Sequence, residues 1–167
     1  MKIRNNKSIV LFILLFFSLI ATAQKGSFTT SATIGLATPI LDSGIGLHIG
    51  INPSYVLTPH FSIEGQISYA STKIHSSFLS GAEGQSNSVN TLGGGRLYLN
   101  SVEKKNRFYV NALIGLNYNK EEKNGLKMDG QFNVGSSIGA YLELKSFLVG
   151  LSFETPENLV LKVGYIF

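Results

Sequence analysis

Four charged residues fall at polar positions of predicted β-strands, where an isolated charge would be costly to bury. Glu64 and Arg96 lie at corresponding distances from the ends of consecutive strands, so antiparallel pairing would bring them to a similar height. Glu154 and Lys162 are predicted to form a looser diagonal pair nearer the other end of the sheet. Such pairs indicate either a structural network that neutralises buried charge or a gate in a narrow polar conduit. We favour the structural network.

Other residue types that could do chemistry lack the required spacing. The three histidines, His48, His60 and His75, are too scattered to form a metal site, and His48 is predicted to face inward. Gly93-Gly94-Gly95 is not followed by a helix that could bind phosphate, so it indicates close strand packing or a bulge. The glycines around Gly46 miss the dinucleotide-binding spacing. We therefore expect no cofactor and no metal.

The N-terminus has the three regions of a secretory signal peptide, and residues 1–23 are predicted to be removed. A basic segment precedes an apolar run over residues 9–20, and Ala21-Thr22-Ala23 supplies the small residues before the cleavage point. The apolar run is shorter than the roughly 20 residues that a membrane-spanning helix needs. Residues 24–167 then form one domain.

Removal of this segment changes the charge balance. It takes three of the 14 Lys and Arg residues and leaves 11 against 10 Asp and Glu residues, a net charge of +1. The basic character of the full chain therefore belongs largely to the signal peptide. It gives no reason to expect nucleic acid as a partner.

The mature chain has the alternating pattern of an all-β protein, with turn residues between the apolar segments. Pro53 marks irregular pairing within the second strand. The even number and the length of the strands predict an eight-stranded antiparallel up-and-down transmembrane β-barrel. The predicted strands are 28–38, 45–57, 61–70, 89–99, 108–119, 131–142, 147–154 and 159–167.

The composition of the polar face distinguishes a membrane barrel from a soluble one. A soluble barrel would carry many charged residues on the face that meets water, whereas this face is rich in Ser, Thr, Asn and Gly. Small neutral residues suit a narrow interior. Aromatic residues concentrate at the strand ends of the apolar face, as two outward-facing belts would require. The lower belt is predicted from Phe28, Phe61, Phe108, Phe147, Tyr165 and Phe167, and the upper from Tyr69, Tyr118, Phe132 and Phe153.

The connections are predicted to be short at one end and longer at the other. Residues 58–60 and 144–146 form short turns on the periplasmic side, where the 100–107 link is longer and charged. The long loops are predicted at 71–87 and 120–130 on the extracellular side, where partner contacts would arise.

The final strand carries the sharpest motif. Val163-Gly164-Tyr165-Ile166-Phe167 resembles the closing strand of the small outer-membrane barrels of the OmpA and OmpX type. This resemblance implies a location in the bacterial outer membrane, in contact with lipid and lipopolysaccharide. It also implies that Gly164, Tyr165 and Phe167 form a signal read by the barrel assembly machinery. The Ala-Thr-Ala-Gln junction is similar to signal cleavage sites of Bacteroidetes outer-membrane proteins.

The resemblance does not imply an activity, because one fold hosts many functions. We expect a non-enzymatic protein with a structural or surface-interaction role through its extracellular loops. A lipid-modifying enzyme, a narrow channel and a soluble periplasmic ligand-binding barrel are the alternatives. His75-Ser76-Ser77-Phe78 resembles the His-x-Ser-Asn motif of lipid A deacylases, but Phe78 replaces the asparagine and the segment falls in a predicted loop.

Overall fold

The structure is a computed structural model, and it describes residues 27–38, 44–76, 82–100, 105–123, 126–156 and 158–167. The predicted signal peptide lies outside these ranges. The described residues contain no helix of the length and apolar character needed to cross a membrane.

The described residues form nine strands of one closed antiparallel sheet. The strands are β1 Phe28–Thr38, β2 Gly46–Thr58, β3 Phe61–Ser76, β4 Ala82–Tyr98, β5 Asn106–Lys123, β6 Leu126–Lys127, β7 Gln131–Leu144, β8 Phe147–Glu154 and β9 Asn158–Ile166. The two-residue β6 pairs only with the end of β5 and is not part of the wall, so the barrel has eight strands as predicted. Each of these eight strands pairs with the next one along the chain, and β1 pairs with β9 to close the barrel.

The strands tilt strongly, because the sheet closes with a large stagger. The lateral partners followed once around the barrel begin at Thr38 and return to β1 at Phe28, a shear of 10 residues. Eight strands with this shear tilt by about 45° and leave an interior wide enough only for side chains. The partners in this circuit are Thr38, Leu159, Phe153, Ile138, Ala112, Gly95, Ile63, Tyr55 and Phe28.

The outer wall is apolar and the interior is mostly polar, which is the reverse of a soluble barrel. In β8 every second residue is buried, and the exposed residues between them are Phe147, Val149, Leu151 and Phe153. All ten residues predicted for the aromatic belts are exposed, from 37% for Tyr118 to 76% for Phe132. So large an exposed apolar surface is stable only in lipid.

The height of the barrel wall differs from strand to strand. The predicted loops at 71–87 and 120–130 are partly wrong for this reason. Most of residues 71–87 belongs to β3 and β4, and residues 120–123 continue β5. His75 and Ser76 therefore lie on a strand, and Arg107 lies in β5 rather than in the link before it. The reason is that pairing continues above the apolar wall, where no apolar alternation marks it in the sequence.

Two inward-facing glycines allow neighbouring strands to approach closely. A Cβ atom on Gly94 would collide with the carbonyl oxygen of Ala112 on β5, and one on Gly115 would collide with that of Thr91 on β4. The β3–β4 register continues without a shift through Gly93, Gly94 and Gly95. Gly94 therefore serves close packing, and the triplet does not form a bulge. Beside Pro53, the β2–β3 pairing passes from Ile51 directly to Ser54.

Candidate functional site

The first interior cluster surrounds the Glu64 carboxylate near the turn end of the barrel, the end that holds the β2–β3, β4–β5 and β7–β8 turns. Arg96 on β4 donates from Nε to Oε2 at 2.8 Å and from Nη2 to Oε1 at 3.0 Å. The amides of Asn52 and Asn111 each donate a further hydrogen bond to this carboxylate, at 3.0 and 2.9 Å. The bidentate pair thus holds a buried charge with both oxygens satisfied.

Arg96 also links β4 to β7, the strand beyond β5 in the wall. Its Nη1 lies 3.3 Å from Glu143 Oε1 on β7, and the other oxygen of Glu143 contacts Arg107 on β5. The guanidinium lies 4.5 Å from the ring centre of Tyr109, a cation–π contact. Tyr109 in turn stacks on Tyr141 with ring centres 5.0 Å apart. Large side chains therefore fill this part of the interior.

The second cluster is centred on Glu154 at the end of β8. Lys162 on β9 contacts Oε1, and His48 Nε2 on β2 lies 3.2 Å from Oε2. Ser152 donates to Oε1 at 2.9 Å, and Ser137 on β7 does so at 3.3 Å. This one carboxylate therefore joins strands from different sides of the barrel.

Gln66 on β3 connects the two clusters. Its Oε1 accepts a hydrogen bond of 3.2 Å from Asn52, which also donates to Glu64. Its Nε2 donates to Glu154 Oε2 at 3.0 Å. A single hydrogen-bonded chain thus runs from Arg96 to Lys162 through the interior. We call these residues the interior network: Glu64, Arg96, Arg107, Glu143, Glu154, Lys162, His48, Gln66, Asn52 and Asn111.

The interior network is balanced and closed. It has three carboxylates and three cationic side chains, apart from His48. Lys162 is 1% exposed and Glu154 is 2% exposed, and contacts cross from β2 and β3 to β8. In a barrel of this width, side chains bonded across the interior occupy the space that a conduit would need.

The arrangement does not suit hydrolysis. His48 and Ser152 both lie beside Glu154, and these three residue types also occur together in catalytic triads. Here, however, the serine hydroxyl donates to the carboxylate and is fully buried. Among the described residues no group of three or more His, Cys, Asp or Glu could hold a metal ion.

All four charged residues proposed from the sequence lie in this interior network. Glu64 meets Arg96 directly, and Glu154 meets Lys162 directly rather than loosely. Sequence reasoning missed Glu143 and Arg107, which lie opposite each other at the very ends of β7 and β5. It also missed the inward-facing Tyr98, Tyr109 and Tyr141. A usable signal existed for the three tyrosines, because each lies between two outward-facing apolar residues.

Gly164 and Tyr165 lie in β9, and Phe167 follows its last residue. The Tyr165 ring meets Phe147 and Phe167 edge-on, with ring centres 5.7 and 5.1 Å apart. The backbone amide of Phe167 donates to Thr30 O at 2.9 Å, which extends the β1–β9 pairing to the last residue. The proposed terminal signal is therefore part of the closing seam.

No family model matches the chain, and no curated protein matches it in sequence. Solved structures are similar in fold. Ail, the attachment invasion locus protein of Yersinia pestis, in complex with the heparin analogue sucrose octasulfate, is 13% identical with a TM-score of 0.55, over 85% of this chain and 97% of that one. Neisserial surface protein A is 14% identical with a TM-score of 0.56, over 86% and 98%.

These likenesses establish the fold of the small eight-stranded outer-membrane barrels. The fold, with its apolar outer wall, is that of a protein of the bacterial outer membrane, which is the location predicted from the sequence. At such low identity they do not transfer a ligand or an activity.

The interior network makes a prediction about stability. We expect Arg96→Gln to lower the free energy of unfolding by about 3–5 kcal/mol, because it leaves Glu64 buried without a counter-charge. Glu64→Gln should lower it by less, because Arg96 keeps its contact with Glu143. The double variant should lose clearly less than the sum of the two single losses. Urea unfolding of the barrel in lipid vesicles would measure this. Additive losses would mean that the two side chains are not coupled.

Proposed function

We propose that this protein is a sealed outer-membrane barrel that displays the upper part of β3, β4 and β5 outside the cell as a surface for interaction, and that it is not an enzyme. The observation that carries the proposal is the difference in wall height. β3, β4 and β5 continue well above the apolar wall, whereas β1 ends at Thr38 and β8 at Glu154. We call the part above Tyr69, Val89 and Tyr118 the upper sheet.

The closed interior supports this proposal. Because the interior network occupies the barrel, a partner outside the cell has to bind at the loop end or on the wall. The upper sheet offers a preformed surface there, since β3 and β4 remain paired up to Ser76 and Ala82. Ordered strands lose less conformational entropy on binding than a flexible loop does.

Two structural relatives support this role. One is an attachment protein bound to a sulfated sugar analogue, and the other is a surface protein. For this chain we infer only the general class, a surface protein that contacts an external partner.

Surface display and the enzymatic alternative are tested together. An epitope inserted within residues 77–81 should be labelled on intact cells, whereas the same epitope between Lys145 and Ser146 should be labelled only after permeabilisation. The mass spectrum of lipid A should be the same with and without the protein. No labelling at 77–81 on intact cells would refute display, and a new lipid A species that depends on the protein would show an enzyme.

We further propose that residues 1–23 are a signal peptide, of the type seen in Bacteroidetes, and that Gly164, Tyr165 and Phe167 are recognised by the barrel assembly machinery. The aromatic rings of Tyr165 and Phe167 face outward, and Phe167 is 73% exposed. An exposed ring contributes little to the packing of the finished barrel, which leaves its place in the lower belt and recognition during assembly as the two reasons for its position.

Phe167→Ala should therefore reduce the fraction of assembled barrel in cells severalfold. Unassisted refolding of the purified mature variant in detergent should be close to wild type. Phe28→Ala is the matched control, because Phe28 lies in the same belt and is similarly exposed at 67%. Heat-modifiable migration on gels measures both fractions. Equal losses for the two variants in cells would contradict a recognition role for Phe167.

A further inference from the structure

The outer face of the upper sheet has an ordered arrangement of polar groups. Tyr69, Val89 and Tyr118 are lateral partners and form the top row of the apolar wall. The next outward-facing row is Ser71, Asn87 and Lys120, and the one above it is Lys73, Gln85 and Glu122. We call these six polar residues the headgroup patch. The change from apolar to polar is therefore complete within one row.

The neutral members of the headgroup patch are held in place by one another. Tyr69 OH donates to Asn87 Oδ1 at 2.9 Å. Gln85 Nε2 donates to Ser71 Oγ at 3.0 Å and contacts Asn87 Oδ1 at 3.4 Å. The central amides are thus fixed, and the exposed Lys73 and Lys120 flank them on either side.

The height of the headgroup patch follows from the tilt of the strands. Tilted strands rise by roughly 2.4 Å per residue, so on each strand the two polar residues lie about 5 and 10 Å above that strand's residue in the top apolar row. Tyrosine rings mark the boundary between hydrocarbon and headgroups. The headgroup patch therefore lies among the headgroups and cannot avoid contact with them.

We propose that the headgroup patch docks a phosphorylated glycolipid of the outer leaflet. Lys73 and Lys120 bind phosphate, and the amides and hydroxyl between them bind sugar hydroxyl groups. Strand spacing puts the Cα atoms of the two lysines about 12 Å apart, which two extended lysine side chains can span to reach one phosphate. The inference rests on the proposed orientation, with the upper sheet outside the cell.

The charges favour this ligand over a cationic one. The patch has two lysines and a single acid, Glu122, which lies beside Gln85 and opposes phosphate binding. Lysine and glutamate substitutions in the patch should therefore change the affinity for phosphate in opposite directions. Loss of either lysine should weaken binding, and loss of the Glu122 charge should strengthen it.

The test uses the mature barrel in detergent with bis-phosphorylated lipid A as the probe, and native mass spectrometry measures the affinity. Because a lysine near a charged lipid surface contributes about 1 kcal/mol, Lys73→Gln and Lys120→Gln should each weaken binding about fivefold, and the pair about 25-fold. Glu122→Gln should tighten it severalfold. Dephosphorylated lipid A should bind the wild-type protein as weakly as bis-phosphorylated lipid A binds the double lysine variant. Inorganic phosphate should not compete, because it lacks the acyl chains that contact the wall.

Lys105→Gln with Lys145→Gln is the matched control, because it removes the same charge from exposed lysines at the turn end. This control should bind as wild type does. An equal loss in the control, or no loss in the Lys73 and Lys120 variants, would overturn the proposal. Competition by inorganic phosphate at similar concentration would also overturn it and indicate a free-anion site. Surface labelling at 77–81 is unaffected by these outcomes, so failure here is distinguishable from failure of the proposed function.

Discussion

The interior of an eight-stranded barrel has room for side chains but little for water, so each inward-facing charge needs a partner inside the barrel. The rest of this structure depends on that constraint. Glu64, Glu143 and Glu154 are each matched by Arg96, Arg107 or Lys162, and amides and hydroxyls supply the remaining bonds. Because the partners come from different strands, satisfying the charges also fixes the strands relative to one another.

The same constraint decides where function can reside. A filled interior excludes partners, and the apolar wall meets lipid on all sides. The loop end differs, since β3, β4 and β5 rise above the wall there and carry lysines, amides and carboxylates. The role proposed for the upper sheet and the lipid ligand proposed for its outer face both follow from this distribution.

The fold could be predicted from the sequence because lipid exposure imposes a strict alternation. The sequence predicts all eight wall strands and both aromatic belts, and the predicted strand ends are correct to within a few residues except at the upper ends of β3 and β4. Where lipid ends, this signal ends too, so the sequence predicts a loop over the upper parts of β3 and β4. Glu64 and Arg96 were found because charges stand out among small neutral residues. Glu143 and Arg107 were missed because charges are ordinary beside a turn, and only the register shows that they face inward.

The most direct test of the sealed interior is a conductance recording of the purified barrel in a planar lipid bilayer. The interior network predicts that wild-type protein gives no steady open level. A steady conductance that Glu64→Gln or Arg96→Gln reduces would contradict it, because ions would then pass along these same side chains.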